Sequence, residues 1–414
     1  MVDGVYLRMR AIRSDVIGTG PTRARKHVGA WLAAAAVLAF LPAAQAAALQ
    51  PPAVHRPDRT VHPVAVFGSD DRQPVPPRYD AVAQAVGILF NNRTRTVCTA
   101  FCVSDTVVAT AAHCLANAAT GQSNRAADFV FARHHDRAKE RVRVEGFATR
   151  SAAQNVVTGN FALRVRPPID AAHDWALMRL ARPACTKHEL TLRVFSPAEL
   201  IAHSRAGHVF QISYHRDFTQ WKAAYSKPCG VARDFDNAEW STIAPDFLEA
   251  ERMILHTCDT GGASSGSPLL VDTAEGPVVA GINVGTYVQS KVVMQNGQMT
   301  HRHRAETVAN TAVNASAFAD RVGVLRNAHI LASGNPMKTL QERLRQHQFY
   351  GGRLDGTYGP ALRTAIEAYE KANTLPVTGL ATQGLLLRLS GEQAPQAEQE
   401  TAAHQPARRG SRKR

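Results

Sequence analysis

Three separated segments of the chain carry the residue types of a nucleophile activated by proton transfer. An apolar run at residues 107–112 leads into His113, and Asp174 opens a second apolar run. The third segment is a Gly- and Ser-rich turn that contains Ser265 and precedes the strand-like run at residues 269–272. A hydroxyl attacks a carbonyl at neutral pH when a histidine accepts its proton, and a carboxylate fixes the tautomer of that histidine. These residues therefore predict hydrolysis through a serine nucleophile.

The residues around these three segments predict many short strands. Apolar runs of strand composition recur between turn residues, without long helices between them. They occupy residues 85–90, 97–110, 129–131, 141–147, 175–180, 209–214 and 277–287. This pattern predicts a mainly β fold, an antiparallel barrel or sandwich.

The motifs resemble those of the chymotrypsin- or trypsin-like serine peptidases, in particular the bacterial branch that includes the glutamyl endopeptidases. They are TAAHC at 110–114, DWAL at 174–177 and DTGGASSGSP at 259–268, in that order. The segment GSDDR at 68–72 is also similar to the one just before the first strand of that branch. The resemblance spans about residues 66–325 and implies two antiparallel β-barrels of the chymotrypsin type.

The resemblance also implies a role for each motif residue. Ser265 is expected to be the nucleophile, His113 the general base and then acid, and Asp174 the orienting carboxylate. The backbone N–H groups of Ala263 and Ser265 are expected to form the oxyanion hole. Family members usually carry Gly where this chain has Ala263, so a backbone that required a positive φ would cost the alanine about 1 kcal/mol.

Two further positions depart from the family pattern. Ser264 stands where trypsin-like zymogens carry an Asp for the new N-terminus, so activation through that ion pair is not expected. Asn283 stands where glutamyl endopeptidases carry a His, which leaves a preference for Glu open. The residues expected to line the specificity pocket are Asp259, Thr260, Asn283 and Gly285.

Six cysteines favour disulfides and an oxidising compartment. The resemblance implies a bond between Cys98 and Cys114, and by exclusion we expect a second between Cys229 and Cys258. The remaining two, Cys102 and Cys185, either pair or stay as buried thiols. The chain has no paired CxxC or HExxH spacing, so neither a metal nor another cofactor is expected.

The C-terminal segment resembles the three-helix peptidoglycan-binding domains that are appended to bacterial cell-wall enzymes. The matching residues include Leu340 and Leu344, DGTYGP at 355–360, Tyr369 and LPVTG at 375–379. Tyr350, Arg353 and Tyr358 are the expected glycan contacts. A helical packing or dimerisation module without a ligand is the alternative, because amphipathic spacing alone does not reveal a ligand.

Composition and terminal segments set the remaining expectations. The chain has 414 residues, 45% of them hydrophobic, and a net charge of +14, which excludes a disordered polymer and favours polyanionic surroundings. No nucleic-acid module is recognisable, so nucleic acid is not an expected partner. A basic segment, an apolar run and AQA at 44–46 predict a cleaved signal peptide, with an uncleaved anchor as the alternative and no stable membrane span after cleavage.

The expected domains are a signal peptide at 1–46, a leader or propeptide at 47–80, a peptidase domain at 81–325, a linker at 326–337, a peptidoglycan-binding domain at 338–390 and a disordered basic tail at 391–414. The sequence thus predicts a secreted or periplasmic serine endopeptidase held at the cell wall, acting on a protein or peptide substrate. The alternative is an inactive homologue that serves as a wall-binding scaffold or adhesin. A third possibility is that the enzyme cuts the cross-link peptides of peptidoglycan itself.

Overall fold

The computed structural model describes residues 5–7, 65–116, 123–133, 141–149, 151–160, 167–219, 222–236, 238–295, 298–302 and 306–391. The predicted signal peptide lies outside these residues except for strand β1 (Val5–Leu7). Residues 47–64 of the leader and the tail beyond Gly391 also lie outside them. The rest of the leader, residues 65–80, contains strand β2 (Gln73–Pro74), and it buries Arg72 and Tyr79 in the folded body.

Seven strands form the first antiparallel sheet. They are β3 (Val86–Asn91), β4 (Val97–Cys102), β5 (Val107–Thr110), β6 (Phe129–Ala132), β7 (Arg141–Arg143), β8 (Val156–Thr158) and β9 (Ala176–Arg179). Their spatial order is β7-β6-β3-β4-β5-β9-β8. Val144, just beyond β7, bridges to Leu180, just beyond β9, so the sheet curls back on itself.

The second antiparallel sheet consists of β1, β2 and the seven strands after β9 in the described part of the chain. These seven are β10 (Val209–Tyr214), β11 (Ala223–Ser226), β12 (Met253–His256), β13 (Pro268–Thr273), β14 (Gly276–Gln295), β15 (Gln298–Arg302) and β16 (Glu306–Asn314). The order is β12-β16-β14-β13-β10-β11-β2, and β1 and β15 each pair with β14. A bridge from Val231 to His256 brings the segment after β11 back to β12, so this sheet is curved as well.

The strands form where apolar side chains can be buried on both faces. Every residue of β5 and of β10 is buried, which explains why their sequences read as continuous runs. The predicted mainly β architecture of two antiparallel sheets is confirmed. Four helices were not predicted within this body: α1 (Asp80–Ala85), α2 (Pro197–Arg205), α3 (Trp240–Ile243) and α4 (Ala319–Asn327).

Three helices follow, as predicted: α5 (Asn335–Gln346), α6 (Pro360–Ala372) and α7 (Gln383–Leu389). Pro occupies the first turn of both α5 and α6, where its missing N–H has no helical acceptor to lose. Met337, Leu340 and Leu344 from α5 pack against Leu362 and Ile366 from α6 in a separate small core.

Hydrogen bonds, in addition to the covalent connection, attach the helical domain to the sheet body. Just after α4, the N–H of Leu331 donates to the carbonyl of Ala381 at 2.9 Å, and the N–H of Gln383 donates to the carbonyl of His329 at 2.8 Å. The guanidinium of Arg363, on α6, donates to the carbonyl of Val156, on β8, at 3.3 Å. The segment predicted as a linker therefore takes part in backbone pairing. Among the described residues, no helix is long and apolar enough to cross a membrane.

Candidate active site

His113 lies in a 3₁₀ turn, Ala112–Leu115, that directly follows the buried strand β5. A disulfide joins Cys114 of this turn to Cys98 at the start of β4. The hydroxyl of Thr110, the last residue of β5, donates to the carbonyl of Thr99 at 2.8 Å. The histidine is thus held by a short turn between a buried strand and a covalent cross-link, while 34% of its side chain stays exposed.

Asp174 precedes β9, the strand that pairs with β5, and is 2% exposed. One carboxylate oxygen lies 2.7 Å from Nδ1 of His113, and the other accepts the backbone N–H of His113 at 2.9 Å. Burial lowers the pKa of His113, but the charge and hydrogen bond of Asp174 outweigh it, and the net pKa is raised. Because Nδ1 donates to a carboxylate, Nε2 is the nitrogen that can accept a proton.

Ser265 lies on the turn between β12 and β13 of the second sheet and is half-buried. Its carbonyl accepts the N–H of Thr99 at 2.9 Å, which ties the turn to β4 of the first sheet. The Sγ of Cys114 lies 3.8 Å from Nε2 of His113 and 3.9 Å from the carbonyl oxygen of Ser265. The structure therefore holds Asp174 against His113 and places the Ser265 turn beside the same disulfide sulfur, where the two sheets meet.

The residue after Ser265 must be glycine. Gly266 has a φ of +85°, and a Cβ there would lie 2.2 Å from both Thr110 Oγ1 and the Thr99 carbonyl. The close approach of the turn to the first sheet depends on that missing side chain. Glycine at position 266 is therefore required by the packing of the turn, in addition to the chemistry expected of Ser265.

Ala263 adopts a φ of +81°, the left-handed region that glycine usually occupies. Its carbonyl accepts the hydroxyl of Thr99 at 2.9 Å, and the preceding carbonyl, of Gly262, accepts the N–H of Arg216 at 2.7 Å. Within the described part of the chain, neither the N–H of Ala263 nor that of Ser265 donates to a backbone carbonyl. The two groups expected to face an oxyanion thus keep their hydrogen-bonding capacity, and the alanine bears the backbone strain.

The four residues expected to line the specificity pocket differ in their contacts and in their burial. Asp259 is 2% exposed, and its two carboxylate oxygens accept the backbone N–H groups of Phe67 and Asp71, each at 2.9 Å. Thr260 is buried and pairs with Ala65. Asp259 and Thr260 thus hold the segment that precedes β2. Asn283 is also buried, and its amide contacts Ser264, whereas Gly285 is half-buried.

An ionic cluster around the buried guanidinium of Arg72 was not predicted. The Arg72 guanidinium donates to Asp70 and to Asp217, which is 145 residues away, and Nδ1 of His215 accepts the N–H of Gly261 at 3.0 Å. Burial and the charge of Arg72 lower the pKa of His215 to about 3. The GSDDR motif was the available signal, but its partners come from the loop after β10, at Asp217, and from the segment after β12, at Asp259.

All six cysteines are paired. Besides Cys98–Cys114, Cys229 bonds to Cys258 and Cys102 bonds to Cys185. Among the residues that the structure describes, two groups of histidine with cysteines lie close enough to hold a metal ion, around His113 and around His256, but the cysteines of each group form a disulfide. A disulfide sulfur has no thiolate to offer a metal.

The expected glycan contacts of the helical domain also differ in exposure. Tyr350 is buried, and its hydroxyl donates to the carbonyl of Arg353 at 2.8 Å. Tyr358 is half-buried, and its hydroxyl donates to the carbonyl of Gly379 at 2.7 Å. Both phenols thus hold loops within the domain, whereas Arg353 is exposed. Gln341, next to Leu340 in the segment that carries the resemblance, has a buried amide that donates to Asp355 and to the carbonyl of Thr357, and so binds the loop before α6.

The two curved antiparallel sheets, with the histidine on one and the serine turn on the other, define a chymotrypsin-like fold. Residues 98–280 match the family described as a trypsin-like peptidase domain, and residues 333–389 match the family described as a peptidoglycan binding domain. The sheet body is thus similar to trypsin-like peptidase domains over residues 98–280, and the helical domain is similar to peptidoglycan-binding domains over residues 333–389.

Among solved structures, the chain is similar to one described as a Glu endopeptidase in complex with MPD. The TM-score is 0.41 and the sequence identity 14%, covering 63% of this chain and 98% of the other. A search of curated proteins finds no match to this chain.

Proposed function

We propose that the protein is an exported serine endopeptidase whose C-terminal domain holds it at the cell wall. The observation that carries the proposal is the pair of hydrogen bonds that the buried carboxylate of Asp174 accepts from the ring and from the backbone N–H of His113. A carboxylate in this position fixes the tautomer with Nε2 free, as a general base requires. Ser265 is the proposed nucleophile, and its support is that one sulfur, Sγ of Cys114, lies 3.8 Å from the His113 ring and 3.9 Å from the Ser265 carbonyl.

In the proposed reaction, Oγ of Ser265 forms a bond to the carbonyl carbon of the substrate while Nε2 of His113 takes the hydroxyl proton. The carbonyl electron pair moves to the oxygen, which the N–H groups of Ala263 and Ser265 bind. When this intermediate collapses, the C–N bond breaks and His113 gives the proton to the leaving amine. Water then attacks the acyl-enzyme by the same steps and releases the acid.

Export and the site of action rest on separate features. Three disulfides favour an oxidising compartment, since thiols stay reduced in the cytosol. The predicted signal peptide supports the same location, and the match at residues 333–389 supports binding to peptidoglycan. The expected substrates are therefore peptide bonds of proteins, or of wall peptides, in the envelope.

A fluorophosphonate probe tests the nucleophile. The full chain, made in an oxidising compartment, and its Ser265→Ala variant would be treated with the probe, and the labelled residue read by mass spectrometry. We expect labelling of Ser265 in the wild type and none in the variant. A folded, disulfide-bonded wild type that stays unlabelled would overturn the proposal and favour the wall-binding scaffold.

The substrate class has its own test. Purified cell wall and an unfolded protein would each be incubated with the wild type and with Ser265→Ala. New amino termini in the protein but not in the wall would support a protein substrate. New amino termini in wall peptides would assign the reaction to peptidoglycan cross-links.

A further inference from the structure

Asn283 makes more contacts with the nucleophile turn than a residue lining a pocket needs. Its side chain is buried in β14, and Nδ2 donates to the carbonyl of Ser264 at 3.3 Å and to its hydroxyl at 3.4 Å. Its backbone N–H donates to the carbonyl of Ser267 at 2.9 Å, and its carbonyl accepts the N–H of Gly266 at 2.7 Å. Asn283 thus contacts the residues on both sides of Ser265.

The contact to the Ser264 carbonyl matters because of what lies across the peptide bond. That bond is trans, so the carbonyl of Ser264 and the N–H of Ser265 point in opposite directions. Ser267 also binds this carbonyl, through its N–H at 3.1 Å and its hydroxyl at 2.7 Å. Three donors on one carbonyl fix the plane of the peptide, so the N–H of Ser265 points away from Asn283 and Ser267.

A second buried residue sets the orientation of the Asn283 amide. Nε2 of His256 lies 3.2 Å from Oδ1 of Asn283. Because Oδ1 only accepts, Nε2 must carry the hydrogen. Burial lowers the pKa of His256 to about 4, so the ring is neutral, and its Nδ1 has no partner in the described part of the chain. A neutral ring that donates to Oδ1 leaves Nδ2 of the amide turned to Ser264.

We infer that Asn283 is a positioning residue for the oxyanion hole: its amide holds the Ser264 carbonyl so that the N–H of Ser265 faces the substrate, and His256 holds the amide. This inference rests on the proposed function. If Asn283 acts in this way, its loss slows the cleavage of every substrate and does not change which side chain is preferred at the cleaved bond. Loss of the amide donor should slow acylation by about 10- to 100-fold, since loss of an oxyanion donor itself costs about 10²- to 10³-fold.

The main test uses Asn283→Asp, which keeps the shape but sets an oxygen against the Ser264 carbonyl. The matched control is Asn314→Asp, on β16, whose buried amide donates to the carbonyl of Phe195 instead. Both variants and the wild type would be assayed with three peptide ester substrates that carry Glu, Leu or Lys at the cleaved bond. Affinity for a peptide boronate, whose adduct places an oxygen in the hole, would be measured alongside.

We expect Asn283→Asp to lower kcat about 10- to 100-fold on all three esters, to weaken the boronate in parallel, and to leave the preference among the esters unchanged. Asn314→Asp should leave kcat near that of the wild type. Unchanged kcat with an altered preference would overturn the inference and return Asn283 to the specificity pocket. If the Asp variant does not fold, Asn283→Ala gives the same comparison.

Two His256 variants test the second step. His256→Gln can still donate to Oδ1 and should retain most of the activity, whereas His256→Leu cannot and should lose activity as Asn283→Asp does. Equal activity of the two variants, both folded, would contradict the role of His256. A wild type that the fluorophosphonate does not label fails the proposed function and this inference together, whereas a labelled wild type with an unaffected Asn283→Asp fails the inference alone.

Discussion

The two halves of the candidate site are held by different means. The His113 half depends on the Cys98–Cys114 disulfide and on one buried charge, Asp174. The Ser265 turn itself is held by uncharged hydrogen bonds from backbone groups and from Asn283, and the Cys229–Cys258 disulfide and the Arg72–Asp217 ion pair support the chain next to it. His113 should therefore respond to loss of the Cys98–Cys114 disulfide and to loss of one charge, and the Ser265 turn to protonation of buried histidines and to changes in backbone conformation.

The largest expected effect is on the charged half. Asp174→Asn removes the charge that raises the pKa of His113 and no longer enforces its tautomer, so kcat should fall by about 10⁴-fold. Activity needs the neutral ring and so rises with pH through the His113 pKa. In the variant the acidic limb of kcat/KM should move to lower pH. The control is Asp170→Asn, whose carboxylate binds His173 and not His113; an equal loss there would contradict the assignment.

Removal of the disulfides separates stability from activity. Cys98→Ala with Cys114→Ala opens a loop of 16 residues and should lower the free energy of unfolding by about 3 kcal/mol. Cys102→Ala with Cys185→Ala opens a loop of 83 residues and should lower it by at least as much. Below the unfolding temperature, only the first pair should slow labelling of Ser265. Equal labelling rates would show that the sulfur beside His113 has no positioning effect.

The stability that buried His256 gives to the Ser265 half should fall in mild acid. The His256 pKa of about 4 lies below its ordinary value of 6.5, so the unfolded chain takes up the proton first and stability falls as the pH drops from about 6.5 to about 4. Between pH 7 and pH 5 the wild type should lose about 2 kcal/mol more than His256→Gln. Urea unfolding at the two pH values measures the difference, and identical losses would contradict it.

The smallest effect is expected at Ala263. Because its φ is +81°, Ala263→Gly should raise the free energy of unfolding by about 1 kcal/mol without lowering activity. The same change at Ala280, fully buried in β14, should lower stability because it removes a packed methyl group. Thermal unfolding of both variants checks this contrast. A destabilised Ala263→Gly would show that the backbone strain is not relieved by glycine.

The two halves also differ in how far the sequence reveals them. His113, Asp174 and Ser265 are recognisable because each lies in a short sequence motif. His113 and Asp174 adjoin apolar strands, and Ser265 lies in a Gly-rich turn. Most strands, but not their pairing, followed from apolar runs, and the fold class was predicted correctly. The contacts of Asp259 and Asn283 were not predictable, since their partners lie far along the chain, at Phe67 and His256. No local pattern specifies which distant backbone group a buried polar side chain will meet.

The backbone bonds between residues 329–331 and 381–383 have a geometric consequence for a protein held at the wall. A flexible tether lets a catalyst sample a sphere around its anchor, so that any bond inside the sphere is within reach. A helical domain that is bonded to the sheet body instead holds the active site at one distance and in one direction from the bound glycan. The enzyme would then cleave bonds at a fixed distance from the bound glycan. A glycine spacer inserted at this junction would widen the range of distances at which bonds are cleaved.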